Sequence, residues 1–416
     1  MPTEKTDTLV IGGGQAGLTM SHRLKQRGLA HLVLERHRIA ERWRSERWEG
    51  LRFQFPNWSV RLPDFPFPHD DPDGFSSLPV IVAFIDAYAA FVAPPIRCGV
   101  AVTALRRHGN GFRAETAHGP IDASNVVVAT GPYQRALVPD LLAGSALFQV
   151  HANGYRSAAQ LPAGAVLVVG AGASGAQIAE ELLQAGRRVF LSVGEHRRMP
   201  RRYRGRDVIW WLAEMGLDRV PVEERGPTGP QPLITGADGG YTIDFRDLVA
   251  RGMTLLGRAD GARGDTLSFA DDLGASLAEG DASFAGFLDL VDEYVTRKGL
   301  DVPTEPAARA SLARPVPLGE PIRQLDLRAA GIGAVIWATG YGYDFGWIDL
   351  PVFDAAGAPR HRHGVSEIAG LYFLGLPFLS RMSSSFLSGV GDDALHLADH
   401  IVARSPQLTA GGAPSR

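Results

Sequence analysis

Asp7-Thr-Leu-Val-Ile11 runs directly into Gly12-Gly-Gly-Gln-Ala-Gly17 and then into Leu18-Thr-Met-Ser-His-Arg-Leu-Lys-Gln-Arg-Gly28, and this stretch decides the fold. Its apolar opening reads as a buried strand. Ala16, Met20 and Leu24 then recur at four-residue spacing, with His22, Arg23, Lys25 and Gln26 facing away, which predicts an amphipathic helix. Gly28 suits the C-terminal cap, and residues 30–34 read as a second strand, so the segment is a βαβ unit. In Gly12-x-Gly14-x-x-Gly17 the first glycine permits a tight turn and the second lets the backbone approach a pyrophosphate. The third lets helix and strand pack closely. The helix start at Gln15 and Ala16 offers free N–H groups and the positive end of a dipole to phosphates. Glu35, about twenty residues after the first glycine, is placed to accept hydrogen bonds from a ribose diol, with Arg36 beside it.

The same design returns later. Ala165-Val-Leu-Val-Val169 leads into Gly170-Ala-Gly-Ala-Ser-Gly175, with Ile178, Ala179, Leu182 and Leu183 as the buried face and Gly186 as the stop. Gly170, Gly172, Ala173, Ser174 and Gly175 are therefore a second set of dinucleotide-binding candidates. Ser192 stands where the ribose acid would be expected, and Arg197 and Arg198 follow. A 2′-phosphate suits a hydroxyl and guanidinium groups and repels a carboxylate, so this site favours NADPH over NADH. The competing role for these arginines is a solvated basic loop. Two dinucleotide folds in one chain imply one site for a flavin and one for the nicotinamide that reduces it.

Between and after these units lie two similar segments, Val126-Val-Val-Ala-Thr-Gly131 and Val335-Ile-Trp-Ala-Thr-Gly-Tyr341. They add Thr130, Gly131, Thr339, Gly340 and Tyr341 to the cofactor candidates, along with Val102. The expected class is α/β with two Rossmann-like domains, the FAD domain split in sequence and the NADPH domain inserted. The boundaries read as 1–150, 151–319 with a helical and loop insertion, and 320–416. Residues 221–240 read as a long Pro/Gly-rich loop, 284–298 as an amphipathic helix and 392–402 as a closing helix.

Composition narrows the function. The 416 residues predict two to three domains at about 150 residues each. A formal net charge of −3 gives no reason to expect a nucleic acid or an anionic membrane as partner. Cys98 is the single cysteine, which excludes an intrachain disulfide, a CxxC redox pair and a thiolate metal cluster; no metal site is expected. The apolar stretch 78–96 is interrupted by Asp86 and too short to span a bilayer, and the N-terminal segment lacks a secretion signal. The expectation is a soluble cytoplasmic protein. A homodimer contact through Phe378 and Leu379 is left open.

With these motifs in order, the sequence resembles the class B flavin monooxygenases, which include flavin-containing, Baeyer–Villiger and indole-pyruvate monooxygenases. Leu62-Pro-Asp-Phe-Pro-Phe-Pro68 resembles the Pro-rich stretch of that family, Val335 to Tyr341 its ATG(Y) segment, and Ser174 its motif serine. The resemblance implies FAD and NADPH as cofactors. It further implies a C4a-hydroperoxyflavin formed with molecular oxygen, and N-, S- or C-oxygenation of a small organic substrate. Trp43 resembles the family's tryptophan near the flavin, with a core role as the alternative. The family's flavin-side amide falls on Gln54, with Asn57 as a second candidate. The Baeyer–Villiger fingerprint would end at His151 and Tyr155, but Ser145 and Leu147 replace its Phe and Gly. The last helix would aim its N-terminus at the flavin through Gly391 and Asp392, with capping as the other role for Asp392. An NADPH-linked flavin reductase without oxygen insertion and a redox-sensing flavoprotein are the competing functions.

Overall fold

The computed structural model describes residues 3–224 and 229–404. In chain order, the first domain opens with β1 (Glu4–Ile11), α1 (Gln15–Gln26), β2 (His31–Glu35), α2 (Leu78–Val92), β3 (Ile96–Cys98) and β4 (Ile121–Val128). There follow β5 (Phe148–His151), β6 (Ala165–Val169), α3 (Ala173–Gln184), β7 (Val189–Ser192), β8 (Thr254–Leu256), α4 (Leu273–Lys298) and β9 (Ile332–Trp337). β10 (Leu371–Phe373) and α5 (Val390–Arg404) close the described chain.

Two parallel arrays organise these elements. β10, β4, β1, β2 and β3 lie side by side in the first. β5, β9, β6, β7 and β8 lie side by side in the second. Strand for strand, β1 corresponds to β6, β2 to β7, β3 to β8 and β4 to β9. Leu9 and Val10 in one, and Val166, Leu167 and Val168 in the other, are fully buried, as strands covered on both faces require. Met20 and Leu24 of α1 sit in the first core, where α1 packs on α2 and α5.

The glycine motifs and the Ala-Thr-Gly segments prove to be mates. A Cβ on Gly12 would lie 2.4 Å from the Ala129 carbonyl oxygen, and one on Gly170 would lie 2.5 Å from that of Ala338. Both glycines also have positive φ, +119° and +103°. Each turn is closed by a backbone bond of 2.8 Å, Ala129 N–H to Ile11 in the first and Ala338 N–H to Val169 in the second. The third glycines bring helix onto strand: a Cβ on Gly17 or Gly175 would meet the Gly12 or Gly170 oxygen at 1.8 and 1.9 Å.

The structure corrects the expected boundaries. β5 and β9 hydrogen-bond into the second sheet, so that sheet takes in strands from Phe148 to Trp337, beyond the expected limits of 151 and 319. The cause is long-range: β9 supplies the strand between β5 and β6, a position that sequence distance conceals. α4 begins at Leu273 rather than 284, because Gly274 and Gly280 mask the periodicity of its first turns. Gly280 is required there, since a Cβ would lie 2.4 Å from the buried His196 ring. Part of the expected loop is a short hairpin, Ile234–Thr235 with Tyr241–Thr242, and residues 225–228 of it lie outside the described residues. Leu379 is a core residue, and the half-buried Phe378 lines two cavities. No helix among the described residues is long and apolar enough to cross a membrane.

Candidate functional site

A cavity of about 660 Å³ runs between the two domains and is bordered by both glycine motifs. That volume is in the range of cofactor and ligand pockets. From the first motif Gly12, Gly14, Gln15 and Ala16 line it, with Glu35, Arg36, Trp43, Val102, Thr130 and Gly131. From the second come Gly172, Ala173, Ser174 and Gly175, joined by Gly340 and Tyr341. Gln54 stands on the same wall.

The backbone explains why these residues form a cradle. Gly14 and Gly172 are the N-caps of α1 and α3, and neither helix has a side-chain cap. A Cβ at either position would meet nothing within 4 Å, so the peptide plane faces open space. Free N–H groups, a bare Cα and a helix dipole then converge on one point, which fits a pyrophosphate at each motif. The Glu35 carboxylate accepts from the Gly13 N–H at 2.6 Å and the His37 N–H at 2.8 Å. Its position is therefore fixed, and its remaining lone pairs fit a ribose diol.

Side chains farther along the wall hold one another. Trp43 Nε1 donates to Gln15 Oε1 at 2.9 Å, and Gln15 Nε2 donates to the Ser385 carbonyl at 3.2 Å. Arg47 lies over the Trp43 and Tyr133 rings at 5.5 and 5.1 Å. Tyr341 meets Tyr133 and His151 edge-on at 5.0 Å, and burial pushes its phenol pKa up. His151 is engaged on both nitrogens, Nε2 with the Gly340 carbonyl and Nδ1 with Asn153, each at 3.0 Å. It fastens β5 to the turn after β9. Tyr155 is fully buried and donates to Glu181 at 2.8 Å.

Several expected site residues are placed elsewhere. Gly17 and Gly170 serve the packing of their turns and do not line the cavity. Thr339 Oγ1 donates to the Leu137 carbonyl. Asn57 is withdrawn from the site: its amide donates to Asp71 O and accepts from Ser76 Oγ, at 2.8 and 2.7 Å. Ser192 is likewise spent, donating to Gly257 O at 2.9 Å and accepting from the Ala259 N–H at 3.1 Å. Moreover, Ile11 pairs with Leu34 while Val169 pairs with Ser192, so the counterpart of Glu35 is Val193, one residue on. The position still holds no acid. At the C-terminal end, Asp392 is exposed and pairs with Arg381 at 2.9 Å, and α5 approaches Pro63 through Gly391. Asp393 is the buried acid there, accepting from Ser380 Oγ.

The arginine run is corrected most. Arg197 does not line this cavity but the smaller one beside it. Arg198 is buried, pairing with Asp244 at 2.9 Å and with Asp281, and it lies over the Phe284 ring. It is a structural cation, not a 2′-phosphate partner. Arg198→Ala should cost about 2 kcal/mol of stability, below the loss for a fully buried pair, because Asp244 and Asp281 are only partly buried and keep Arg246 as a partner. Denaturant unfolding checks the loss, and the ratio of NADPH to NADH affinity should not move. Arg201 is also internal, reaching Gln54 O at 2.6 Å and Asp207 at 2.8 Å. Burial lowers the Arg201 pKa and raises that of Asp207. Residues not foreseen on the wall include Arg47 and Tyr133. No local pattern marks them, because each comes to the site through tertiary packing.

Residues 9–217 match the family model described as pyridine nucleotide-disulphide oxidoreductase. An uncharacterized CzcO-like oxidoreductase of Geobacillus kaustophilus is 32% identical over 402 residues, covering 95% of this chain and 98% of that protein. The chain belongs to the pyridine nucleotide-disulphide oxidoreductase family, on the side of the class B flavin monooxygenases. An indole-3-pyruvate monooxygenase of Oryza sativa subsp. japonica is 33% identical over 187 residues, 43% of this chain and 45% of that one. A flavin-containing monooxygenase from Stenotrophomonas maltophilia has the same fold, with a TM-score of 0.67, 19% identity and 97% and 99% of the two chains covered. OTEMO, solved in complex with FAD and NADP, has the same fold with a TM-score of 0.53 and 16% identity, and the two cradles here fit two dinucleotides. The thiol–disulfide chemistry in the family's description needs a dithiol, and this chain has only Cys98.

Proposed function

We propose that the chain is an NADPH-dependent FAD monooxygenase that transfers one oxygen atom to a small organic substrate at nitrogen, sulfur or carbon. The observation that carries this reading is one cavity bordered by two uncapped helix N-termini, each with an open glycine. When bound, FAD supplies hydride acceptance and oxygen activation. Two electrons come from NADPH; one oxygen atom enters the substrate and the other leaves as water.

The chain's own residues bind, orient and exclude water. In this reading Glu35 holds the flavin nucleotide's ribose, and the Gly14 turn holds its pyrophosphate. The Gly172 turn holds that of NADPH, and Val193 leaves the neighbouring ribose without a competing carboxylate. Trp43, Phe53, Phe55 and Phe386 give the cavity an aromatic wall that keeps water from the reacting centre. Gln54, whose backbone is clamped by Arg201, offers an amide to a polar atom at that wall.

Oxygen consumption tests the reading. With FAD-loaded protein and NADPH alone, oxygen should be returned as hydrogen peroxide. With an accepted substrate, peroxide should fall as labelled oxygen from ¹⁸O₂ appears in the product. Electron delivery to a quinone with no oxygen consumed would replace this reading with the reductase.

A further inference from the structure

Building on the monooxygenase reading, we propose that a second chamber beside the cofactor cavity is the substrate subsite, and that it takes a neutral, largely apolar small molecule. The chamber measures about 400 Å³. It shares Gln54, Phe55, Gln231, Phe378, Met382 and Phe386 with the larger cavity, so those six residues frame an opening between the two. A molecule lodged in the chamber thus presents one end to the cofactor space.

The walls state the chemistry. Beyond the opening, Ile209, Leu212, Leu217, Val220, Ile234 and Leu290 form an aliphatic lining. Ile209, Leu212, Leu217 and Val220 are only half-buried, and Leu290 is exposed; Ile209 and Leu212 pack on the core beneath them and leave the rest of their surface to the hollow. Apolar side chains left in this state are covered favourably by an apolar ligand. The polar residues concentrate at the opening, where Gln54 and Gln231 can hydrogen-bond one end of the ligand. Among the described residues, Arg197 is the one charged residue in the lining.

The chamber is held open by its own bonds. Arg201 fixes the Gln54 carbonyl at 2.6 Å and stacks on Phe75 at 4.3 Å. Across the opening, Phe55 and Phe386 meet at 4.8 Å. The loop carrying Met382 is joined to the opposite wall, with Val222 N–H donating to Ser380 O at 2.9 Å and Ser383 Oγ to Asp218 O at 3.1 Å. A preformed site of this kind needs little reorganisation to bind.

Thioanisole, a neutral thioether, and phenylacetate, an anion of similar size, are the probes. Each is titrated into oxidised, FAD-loaded protein, with binding read by calorimetry and by perturbation of the flavin absorbance. Wild-type protein should bind thioanisole, and Leu212→Trp, which fills the chamber, should weaken it at least about tenfold with FAD content unchanged. Leu290→Asp sits at an exposed position and tests the same wall if the tryptophan variant does not fold; it too should weaken thioanisole. Equal binding in a folded variant of either kind overturns the proposal. So does a tenfold preference for phenylacetate, which would make Arg197 the anchor of an anion site. So does a loss of NADP⁺ affinity in place of thioanisole affinity, which would assign the chamber to the nicotinamide. The oxygenation reading fails separately: binding that depends on Leu212 without any sulfoxide under NADPH and oxygen keeps the ligand chamber and removes that reading. Sulfoxide formed equally well by wild type and both variants keeps that reading and removes the chamber.

Discussion

Gly14→Ala should give a folded protein that no longer retains FAD. The backbone at this position has φ −81° and ψ −173°, an extended conformation that alanine adopts freely. A Cβ there meets no protein atom within 4 Å, so the fold has no reason to suffer. What the methyl group does occupy is the space through which a pyrophosphate would reach the first N–H groups of α1. Losing two hydrogen bonds to a charged phosphate at about 1.5 kcal/mol or more each corresponds to at least about a hundredfold in affinity. The check is the flavin absorbance of purified protein set against its unfolding midpoint: colourless protein with a native midpoint is expected. Gly17→Ala is the contrasting control. Its Cβ would press to 1.8 Å from the Gly12 oxygen, so this variant should lose the fold as well as the cofactor.

Gly172→Ala is the second large effect, and it should separate the two cofactors. The backbone there, φ −70° and ψ −179°, again tolerates alanine, and again nothing lies within 4 Å of the added carbon. FAD should stay bound while the affinity for NADPH falls about a hundredfold by the same loss of phosphate contacts. Anaerobic titration with NADPH reads this directly, because the yellow colour should persist at concentrations that bleach the wild type. Unchanged reduction by NADPH would show that the second turn does not hold the pyrophosphate.

What the sequence made legible was whatever depends on backbone geometry over a short span. Gly12 to Gly17 and Gly170 to Gly175 announce a turn, a phosphate approach and a helix contact within six residues each. The Ala-Thr-Gly segments at 129–131 and 338–340 were visible as a pair, although their role as the surface against which Gly12 and Gly170 pack emerged only in three dimensions. Side chains with distant partners are less legible. Arg198 looked like a phosphate ligand because nothing near it in sequence reveals Asp281, 83 residues away. Counting along the sequence puts Ser192 at the acid position, and a one-residue offset in strand register puts Val193 there instead. Asn57 stands three residues from Gln54, yet a turn directs its amide to Asp71 and Ser76. Asp392 and Asp393 are adjacent, and only the phase of α5 decides which is buried. In each case the residue type was informative and its direction was not.

Rapid mixing tests the central claim most directly. FAD-loaded protein is reduced with NADPH in the absence of oxygen and then mixed with oxygenated buffer while flavin absorbance is followed. The account predicts complete reduction by NADPH, at least about tenfold faster than by NADH at equal concentration, in keeping with about 1.4 kcal/mol of preference. It further predicts a reoxidation slowed by NADP⁺, with a spectral phase that belongs to neither the reduced nor the oxidised flavin. Equal reduction by the two nucleotides, followed by single-step reoxidation indifferent to NADP⁺, would contradict it.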